Sequence, residues 1–180
     1  MERRVRRMNL KKLVTAAVCT MLMAAVAFTA GCGGEKKSDK KVLKVGMECA
    51  YAPYNWSQTK ADGGAVKIAG SNEYAYGYDV MMAKKLADSM GADLEIHKIE
   101  WDGLAPAVVS GKIDAAIAGM SITSKRKETV DFTKPYYYAT VVALVKKDSE
   151  QAKAQSVADL KGSVATSQLN TIWYDQIDQV

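Results

Sequence analysis

Residues 111–126, with the sequence GKIDAAIAGMSITSKR, decide the fold that this chain predicts. Residues 113–118 form an apolar run broken by one Asp, which is typical of a parallel strand buried on both faces. Gly119 ends this strand, and residues 101–110 predict a short helix that Gly111 stops. The stretch therefore predicts a helix that leads into a buried strand, which a polar loop follows.

Two more strands and a longer helix are predicted on the N-terminal side. Residues 42–47 and 93–98 have strand character. Between them, Asp79 is the predicted N-cap and Gly91 the predicted end of a helix. Its predicted apolar face consists of Val80, Ala83, Leu86, Ala87 and Met90. Strands and helices alternating in this order predict a parallel α/β unit with right-handed crossovers.

The remaining segments are more polar or lie towards the C-terminus. Residues 48–56 are expected to form a loop, and residues 57–73 an exposed excursion or hairpin. A β-branched run at 139–145 predicts a long strand. After it we expect a helical turn, a short strand and a final helix, at residues 157–162, 163–166 and 171–178. A second α/β unit therefore begins near residue 146.

The first 31 residues predict a secretory signal. Six basic residues precede an apolar run at 13–30, and small residues stand directly before Cys32. A transmembrane helix is the alternative, but the run is at the short end for a membrane span and has no charged stop signal after it. Cys32 in this setting predicts lipidation, which would anchor the protein to a membrane. Residues 32–41 then comprise the lipidated Cys and a flexible tether.

Charge and composition exclude several functional classes. The chain has 25 basic and 20 acidic residues, a net charge of +5, and residues 1–31 hold that whole excess. The remainder is neutral, so no positive field is left to attract nucleic acid. His97 is the single histidine, so a zinc site of the usual ligand number is not expected, and neither is a cofactor. With Cys32 lipidated, Cys49 has no disulfide partner and is expected to be a buried residue beside a strand.

One group of candidate binding residues surrounds Arg126. Ligands bind at the carboxyl ends of parallel strands, and Arg126 follows Gly119 and Ser121 in a loop at such an end. A guanidinium with nearby hydroxyl and backbone N–H donors suits a carboxylate. The alternative places Arg126 in the solvated charged run 125–128. Aromatic residues near strand ends, which suit either a ligand or core packing, are Tyr51, Tyr54, Trp56 and Trp101.

A second group of candidates lies farther apart in the sequence. Glu48 ends the first predicted strand and is either a ligand acceptor or a surface acid. Gln168, Asn170 and Thr171 precede a helix, whose free N–H groups bind anions. Simple N-capping by Asn170 or Thr171 is the alternative, and both can hold at once.

Four stretches carry a resemblance to a known family. They are LKVGMECAYAPYNW (43–56), GYDVMMAKKLADSMGADLEI (77–96), WDGLAPAVVSGKIDAAIAGMSITSKRKETVDFTKPYY (101–137) and VADLKGSVATSQLNT (157–171). Residues 42–180 resemble the polar amino-acid branch of the periplasmic solute-binding proteins. The resemblance implies a two-lobed α/β fold of type II topology. Lobe 1 would span 42–145, and 146–180 would begin a second lobe that is incomplete, as in a C-terminally truncated chain.

The resemblance also implies roles for individual residues of the first lobe. Arg126 and Ser121 would bind the α-carboxylate of an amino acid, and the backbone of Gly119 would take its α-amino group. Tyr51 and Trp101 would sandwich the side chain of the ligand.

The other implied roles concern the polar end of the ligand and the second lobe. Glu48 stands where the family usually has Asp, and would touch the polar end of the ligand side chain. Gln168 and Thr171 would contribute from the second lobe. Asn170 stands where many members have Gly.

The function expected from this resemblance is transport. The protein would capture a free amino acid resembling arginine, lysine or glutamine, and would deliver it to the membrane subunits of an ABC permease. It would act as a monomeric lipoprotein in the periplasm or on the outer face of the cell membrane. Two alternatives remain open: an enzyme similar to the cyclohexadienyl dehydratases, with Glu48 as its acid, or the sensing domain of a receptor.

Overall fold

The computed structural model describes residues 40–179, so the predicted signal and Cys32 lie outside the described residues. The strands in chain order are β1 (Val42–Met47), β2 (Ala50–Tyr51), β3 (Asn55–Gln58), β4 (Val66–Lys67), β5 (Tyr74–Tyr76), β6 (Asp93–Lys98) and β7 (Ala115–Ala116). The α-helices are α1 (Tyr78–Met90), α2 (Leu104–Val109), α3 (Ser124–Lys127) and α4 (Ile172–Ile177). Short 3₁₀ turns lie at Asp62–Gly64, Trp101–Gly103, Glu150–Lys153 and Val157–Leu160. Within residues 40–179, no helix has the length and apolar character needed to cross a membrane.

A three-stranded parallel sheet forms the centre of the fold. β1 is its middle strand, with β6 on one side and β7 on the other. All six residues of β1 pair with β6, and the side chains of Val45 and Met47 are fully buried. The three predicted parallel strands are therefore confirmed, although the third has two paired residues where six were expected. α2 follows the turn at Trp101–Gly103, and its Leu104 is buried in the core.

A second, antiparallel sheet corrects the expected loop at 48–56. Its strand order is β2-β3-β5-β4. The excursion at 57–73 contributes residues 57, 58, 66 and 67 to it, and β4 pairs with β5 as a hairpin, one of the two forms expected there. Pro53 lies in the turn between β2 and β3, where its missing N–H interrupts no ladder. Trp56 packs edge-on against Tyr76 across the sheet, with ring centroids 5.1 Å apart. Trp56 therefore has a packing role, which is the alternative to ligand binding that the sequence left open.

Helix α1 also differs from its prediction in two respects. Gly77 is the N-cap, whereas Asp79 lies inside the first turn, where its buried carboxylate accepts hydrogen bonds from Asn55 and Tyr136. The predicted face is also too wide. Val80, Ala83 and Ala87 are buried, but Leu86 and Met90 are 40% and 54% exposed, because the helix meets the sheet along a narrow stripe. Gly91 ends the helix in the left-handed conformation, as predicted.

The C-terminal segment holds less regular structure than expected. Residues 139–145 and 163–166 were predicted as strands, but neither forms one. A strand requires a hydrogen-bonding partner, and no described residue pairs with either segment. The helical turn at Val157–Leu160 is confirmed, and Ser156 with Asp159 forms a capping box at its start. The final helix is confirmed as α4.

Candidate binding site

The position of Arg126 follows from the capping of α3. The side chain of Thr123 accepts a hydrogen bond from the Arg126 backbone N–H at 3.2 Å, which starts the helix. The Arg126 side chain then folds back, and its Nη1 donates to the backbone carbonyl oxygen of Ser121 at 2.8 Å. The guanidinium carbon lies 5.2 Å from the ring centroid of Trp101, which is cation–π distance. Arg126 and Trp101 are thus brought together, next to Ser121.

Partial burial affects the charge on Arg126 only modestly. Desolvation lowers the pKa of its guanidinium, and the negative charge of Asp175 acts in the opposite direction. Arginine nevertheless stays protonated in proteins, because its ordinary pKa lies above 12. The site therefore contains a fixed cation, held above an aromatic face.

Asn170 contacts both Arg126 and Trp101. Its carbonyl oxygen accepts from Arg126 Nη2 and from Trp101 Nε1, each at 3.0 Å. Its side-chain Nδ2 donates to Asp102 Oδ1 at 2.9 Å, and its φ is +59°. Sequence reasoning had no signal for Asp102, because its partner is 68 positions away and the two carry no shared motif.

Glu48, Gln168 and Thr171 complete this polar group. Gln168 Nε2 donates to Glu48 Oε1 at 3.0 Å. Thr171 Oγ1 donates to the carbonyl oxygen of Gln168 at 2.6 Å, and accepts from the N–H of Tyr174. Thr171, rather than Asn170, is therefore the N-cap of α4, and its hydroxyl is engaged within the protein.

The tyrosines lie on a different side of the carboxylate loop. Tyr51 stacks on Tyr54 with ring centroids 5.0 Å apart, and Tyr54 meets Tyr137 edge-on at 5.3 Å. They line an open cleft of about 290 Å³, together with Gly119 and Ser121. Trp101 and Arg126 are not among the residues lining this cleft. In this structure the tyrosine pair and the Arg126–Trp101 pair are therefore separate features that meet at the 119–121 loop.

Gly119 occupies a position that other residues adopt only with strain. Its φ is +61°, and a β-carbon there would lie 3.3 Å from the ring of Tyr51. The Gly119 N–H donates to the hydroxyl of Tyr136 at 3.0 Å. The close approach of Tyr51 and the direction of the Gly119 peptide therefore both depend on the absence of a side chain.

A buried polar group lies beneath the site, and the sequence did not reveal it. Asp79 accepts from Asn55 Nδ2 at 2.7 Å and from the Tyr136 hydroxyl at 2.8 Å. Burial raises the pKa of Asp79, while these two hydrogen bonds oppose the rise. Burial and the adjacent negative charge of Asp79 also raise the pKa of Tyr136. Cys49, buried as expected, donates its backbone N–H to Asn55 Oδ1 at 2.8 Å.

The described residues contain no group of three or more His, Cys, Asp and Glu side chains placed to hold a metal ion. His97 contacts Glu95 at 2.6 Å on β6, which is a structural role.

Comparison with known proteins identifies the family of this chain. Residues 43–180 match the family described as "Bacterial extracellular solute-binding proteins, family 3". The chain belongs to this family. Its fold is the α/β fold of the periplasmic binding proteins, of which this chain covers a part.

Two relatives show the range of names within the family. The chain is 32% identical over 160 residues to the arginine-binding extracellular protein ArtP of Bacillus subtilis, covering 89% of this chain and 56% of that protein. It is 32% identical over 150 residues to the octopine-binding periplasmic protein of Rhizobium meliloti, covering 83% and 44%. The chain thus spans about half the length of the curated relatives it matches.

Solved structures give the same result. The ancestral amino acid-binding protein AncCDT-1, described as a precursor of cyclohexadienyl dehydratase, is 34% identical with a TM-score of 0.64, covering 77% of this chain and 56% of that one. The arginine-bound form of truncated ArgBP from T. maritima is 31% identical with a TM-score of 0.62, covering 77% and 59%. These relatives are binding proteins by name.

Proposed function

We propose that this protein is the substrate-binding component of an ABC transporter. It captures a small polar or cationic amino acid between two lobes and delivers it to membrane permease subunits. The observation that carries this proposal is the geometry of Arg126, a partly buried cation held over Trp101 by the Ser121 carbonyl oxygen. The names of the relatives support the same function.

The hydrogen bonding of Arg126 leaves room for a carboxylate. A guanidinium has five N–H donors in a planar fork. One N–H on Nη1 donates to the carbonyl oxygen of Ser121, and one on Nη2 donates to that of Asn170. The remaining donors suit the α-carboxylate of an amino acid, and the Gly119 backbone takes its α-amino group.

The other site residues favour a ligand that is not acidic. Glu48 would repel a carboxylate side chain and would accept from a guanidinium, ammonium or amide. Aromatic faces suit a flat or cationic group, and Tyr51 and Trp101 would enclose the ligand side chain. In this structure Tyr51 stacks on Tyr54 and Trp101 packs against Arg126, so ligand binding would have to bring the two rings together. Gln168, Asn170 and Thr171 contribute from the second lobe. We therefore propose arginine, lysine or glutamine as the ligand, with the two cationic amino acids slightly preferred.

The export of the protein is part of the same proposal. Residues 1–31 act as a signal peptide, and Cys32 carries the lipid that holds the protein at the outer face of the membrane. Residues 32–41 are the tether, residues 42–145 are lobe 1, and residues 146–180 begin lobe 2. Exchange of Cys32 for Ser should move the monomeric protein from the membrane fraction to the medium or periplasm. Equal membrane association of both forms would contradict this anchor.

Catalysis on the same fold is the alternative, since AncCDT-1 is described as a precursor of a dehydratase. Glu48 is the acid that such a reaction would use. Its Oε1 already accepts a hydrogen bond from Gln168, which suits an orienting role more than proton transfer. We therefore propose a binding protein and not an enzyme. Measurable turnover of prephenate, abolished in Glu48→Gln, would instead support the enzyme.

Ligand-dependent stabilisation tests the proposed function directly. The purified protein is heated with each common amino acid in turn, and the same screen is run on Arg126→Ala and Lys125→Ala. A ligand at about a hundred times its dissociation constant stabilises a protein by about 2.7 kcal/mol, which raises the melting temperature visibly. We expect a rise with arginine, lysine or glutamine, which is lost in Arg126→Ala and kept in Lys125→Ala. A rise with glutamate alone would contradict the proposed ligand, and no rise with any amino acid would contradict the function.

A further inference from the structure

One chain of hydrogen bonds runs beneath the candidate site from the loop after β7 to the loop after β1. The Gly119 N–H donates to the Tyr136 hydroxyl at 3.0 Å, and that hydroxyl donates to Asp79 Oδ1 at 2.8 Å. On the other side, Asn55 Nδ2 donates to Asp79 Oδ2 at 2.7 Å. Asn55 Oδ1 in turn accepts from the backbone N–H of Cys49 at 2.8 Å.

The direction of each hydrogen bond in this chain is determined by its neighbour. The Asp79 carboxylate can only accept, so Tyr136 donates its one hydroxyl proton to it, and the lone pairs of the hydroxyl oxygen accept from the Gly119 N–H. The oxygen of Asn55 accepts from Cys49, so its amide nitrogen must donate. Asp79 receives both donors, and Asn55 and Asp79 are fully buried. Loss of one member would therefore leave an unpaired polar group in the interior.

The two ends of this hydrogen-bond chain lie beside residues that are proposed to bind the ligand. Gly119 precedes Ser121 in the loop that holds Arg126, and its conformation brings the backbone close to Tyr51. Cys49 follows Glu48 and precedes β2, which carries Tyr51. The hydrogen-bond chain thus joins the two loops whose relative position determines the shape of the site.

We propose that Tyr136 and Asp79 are positioning residues of the amino-acid site. Asp79 fixes the Tyr136 hydroxyl, and the hydroxyl fixes the Gly119 N–H. The Gly119 carbonyl oxygen, which can accept from an α-ammonium group, is thereby oriented before the ligand binds. Neither side chain needs to touch the ligand. This inference rests on the proposed function, because it assigns a role within that site.

Tyr136→Phe tests the inference, since it removes the hydroxyl and keeps the ring. Two variants serve as matched controls. Tyr74→Phe changes a half-buried tyrosine of β5 that does not line the cleft. Tyr78→Phe removes the hydrogen bond from the Tyr78 hydroxyl to the Tyr136 carbonyl oxygen at 3.1 Å, which loosens the same segment but spares the bond to Gly119. For each variant, arginine affinity is measured by calorimetry, and exchange of the Gly119 amide proton is measured by NMR without ligand.

We expect the exposed Gly119 to show an unusually slow amide exchange in the wild-type protein, and an exchange about tenfold or more faster in Tyr136→Phe. Arginine binding should weaken about tenfold in Tyr136→Phe and stay unchanged in Tyr74→Phe. Rapid Gly119 exchange in the wild-type protein would overturn the inference, even if Tyr136→Phe fails to fold. Equal weakening of binding in Tyr78→Phe and Tyr136→Phe would also overturn it. A wild-type protein that binds no amino acid but protects Gly119 would refute the proposed function and leave the hydrogen bond standing.

Discussion

Residues 42–118 and residues 139–166 both contain apolar runs, but the two regions bury them very differently. Leu104 in the first region is 0% exposed, whereas Leu144 in the second is 100% exposed. β1 has a hydrogen-bonded neighbour on each side and is covered by helices, while no described residue pairs with 139–145. An apolar side chain stabilises a fold only where other elements remove it from water. The same residue type should therefore matter greatly in one region and little in the other.

The largest expected difference is between Leu104→Ala and Leu144→Ala. A buried leucine truncated to alanine loses its burial energy and leaves a cavity, at a cost of about 2–5 kcal/mol. Removal of an exposed side chain changes the free energy of unfolding by less than about 0.5 kcal/mol. Urea unfolding of both variants measures the two values. A loss above 1 kcal/mol in Leu144→Ala would show that residues 139–145 are covered in solution.

A second expected effect concerns the buried thiol of Cys49 in the first region. Burial raises the pKa of this thiol from 9.0 to about 11, since the interior disfavours the thiolate. Burial of the protonated Cys49 thiol makes its full contribution to the free energy of unfolding below pH 9, where the thiol is protonated in both the folded and the unfolded chain. As the pH rises through about 11, the contribution is lost, up to roughly 3 kcal/mol at about 1.4 kcal/mol for each pH unit between the two pKa values.

Comparison with Cys49→Ala isolates this effect, because other groups also titrate at high pH. The free energy of unfolding is measured by urea between pH 8 and pH 11 for both proteins. Wild type should lose more stability than the variant over this interval. Parallel pH profiles would show that the thiol is hydrated in the folded state.

The contrast between the regions also explains how much of the fold was predictable. β1, β6 and the end of α1 at Gly91 were predicted correctly, because apolar patterns and a helix-ending glycine are local signals. The strand at 139–145 was wrong because a local pattern says nothing about whether a pairing partner is present. Of the antiparallel sheet, only a hairpin at 57–73 was offered by the sequence, which β4 and β5 form. The rest was missed because β2 and β4 have two residues each, too few for an alternating pattern.

The site was predictable to a different degree. The resemblance named both Arg126 and Trp101 as site residues but paired Trp101 with Tyr51, whereas the structure packs Trp101 against Arg126. The resemblance also did not show that the carbonyl oxygen of Asn170 contacts both. Asp79 was taken for an N-cap because Asp is common there, whereas its buried partners come from distant parts of the chain. Hydrogen bonds across 57 positions leave no spacing pattern in a sequence.

A third prediction compares a buried with an exposed aspartate on α1. In Asp79→Asn, the new amide oxygen can accept from Tyr136, but the new amide nitrogen meets the donating nitrogen of Asn55. An unpaired buried donor costs about 1–3 kcal/mol. Asp88→Asn, on the exposed side of the same helix, should cost less than about 0.5 kcal/mol. Similar losses in the two variants would contradict the buried hydrogen-bond chain.

The smallest expected effect is found by comparing one glycine from each region. Gly91 and Gly162 both have left-handed backbones, with φ of +62° and +79°, and a β-carbon would meet nothing within 4 Å at either position. Alanine should therefore carry a similar intrinsic strain at both, about 1 kcal/mol. The Gly91 N–H closes α1, and the next residue, Ala92, is buried. Because this segment is held in place by the core, the strain at residue 91 destabilises the whole folded state.

Gly162 lies among exposed residues, so local opening can relieve the same strain without unfolding the core. Gly91→Ala should therefore lower the global free energy of unfolding by about 1 kcal/mol, while Gly162→Ala should change it by a few tenths at most. Hydrogen exchange of the amides of β1, the central strand of the parallel sheet, measures both values. If Gly162→Ala destabilises β1 as much as Gly91→Ala does, residues 156–163 unfold together with the core, and the two regions form one cooperative unit.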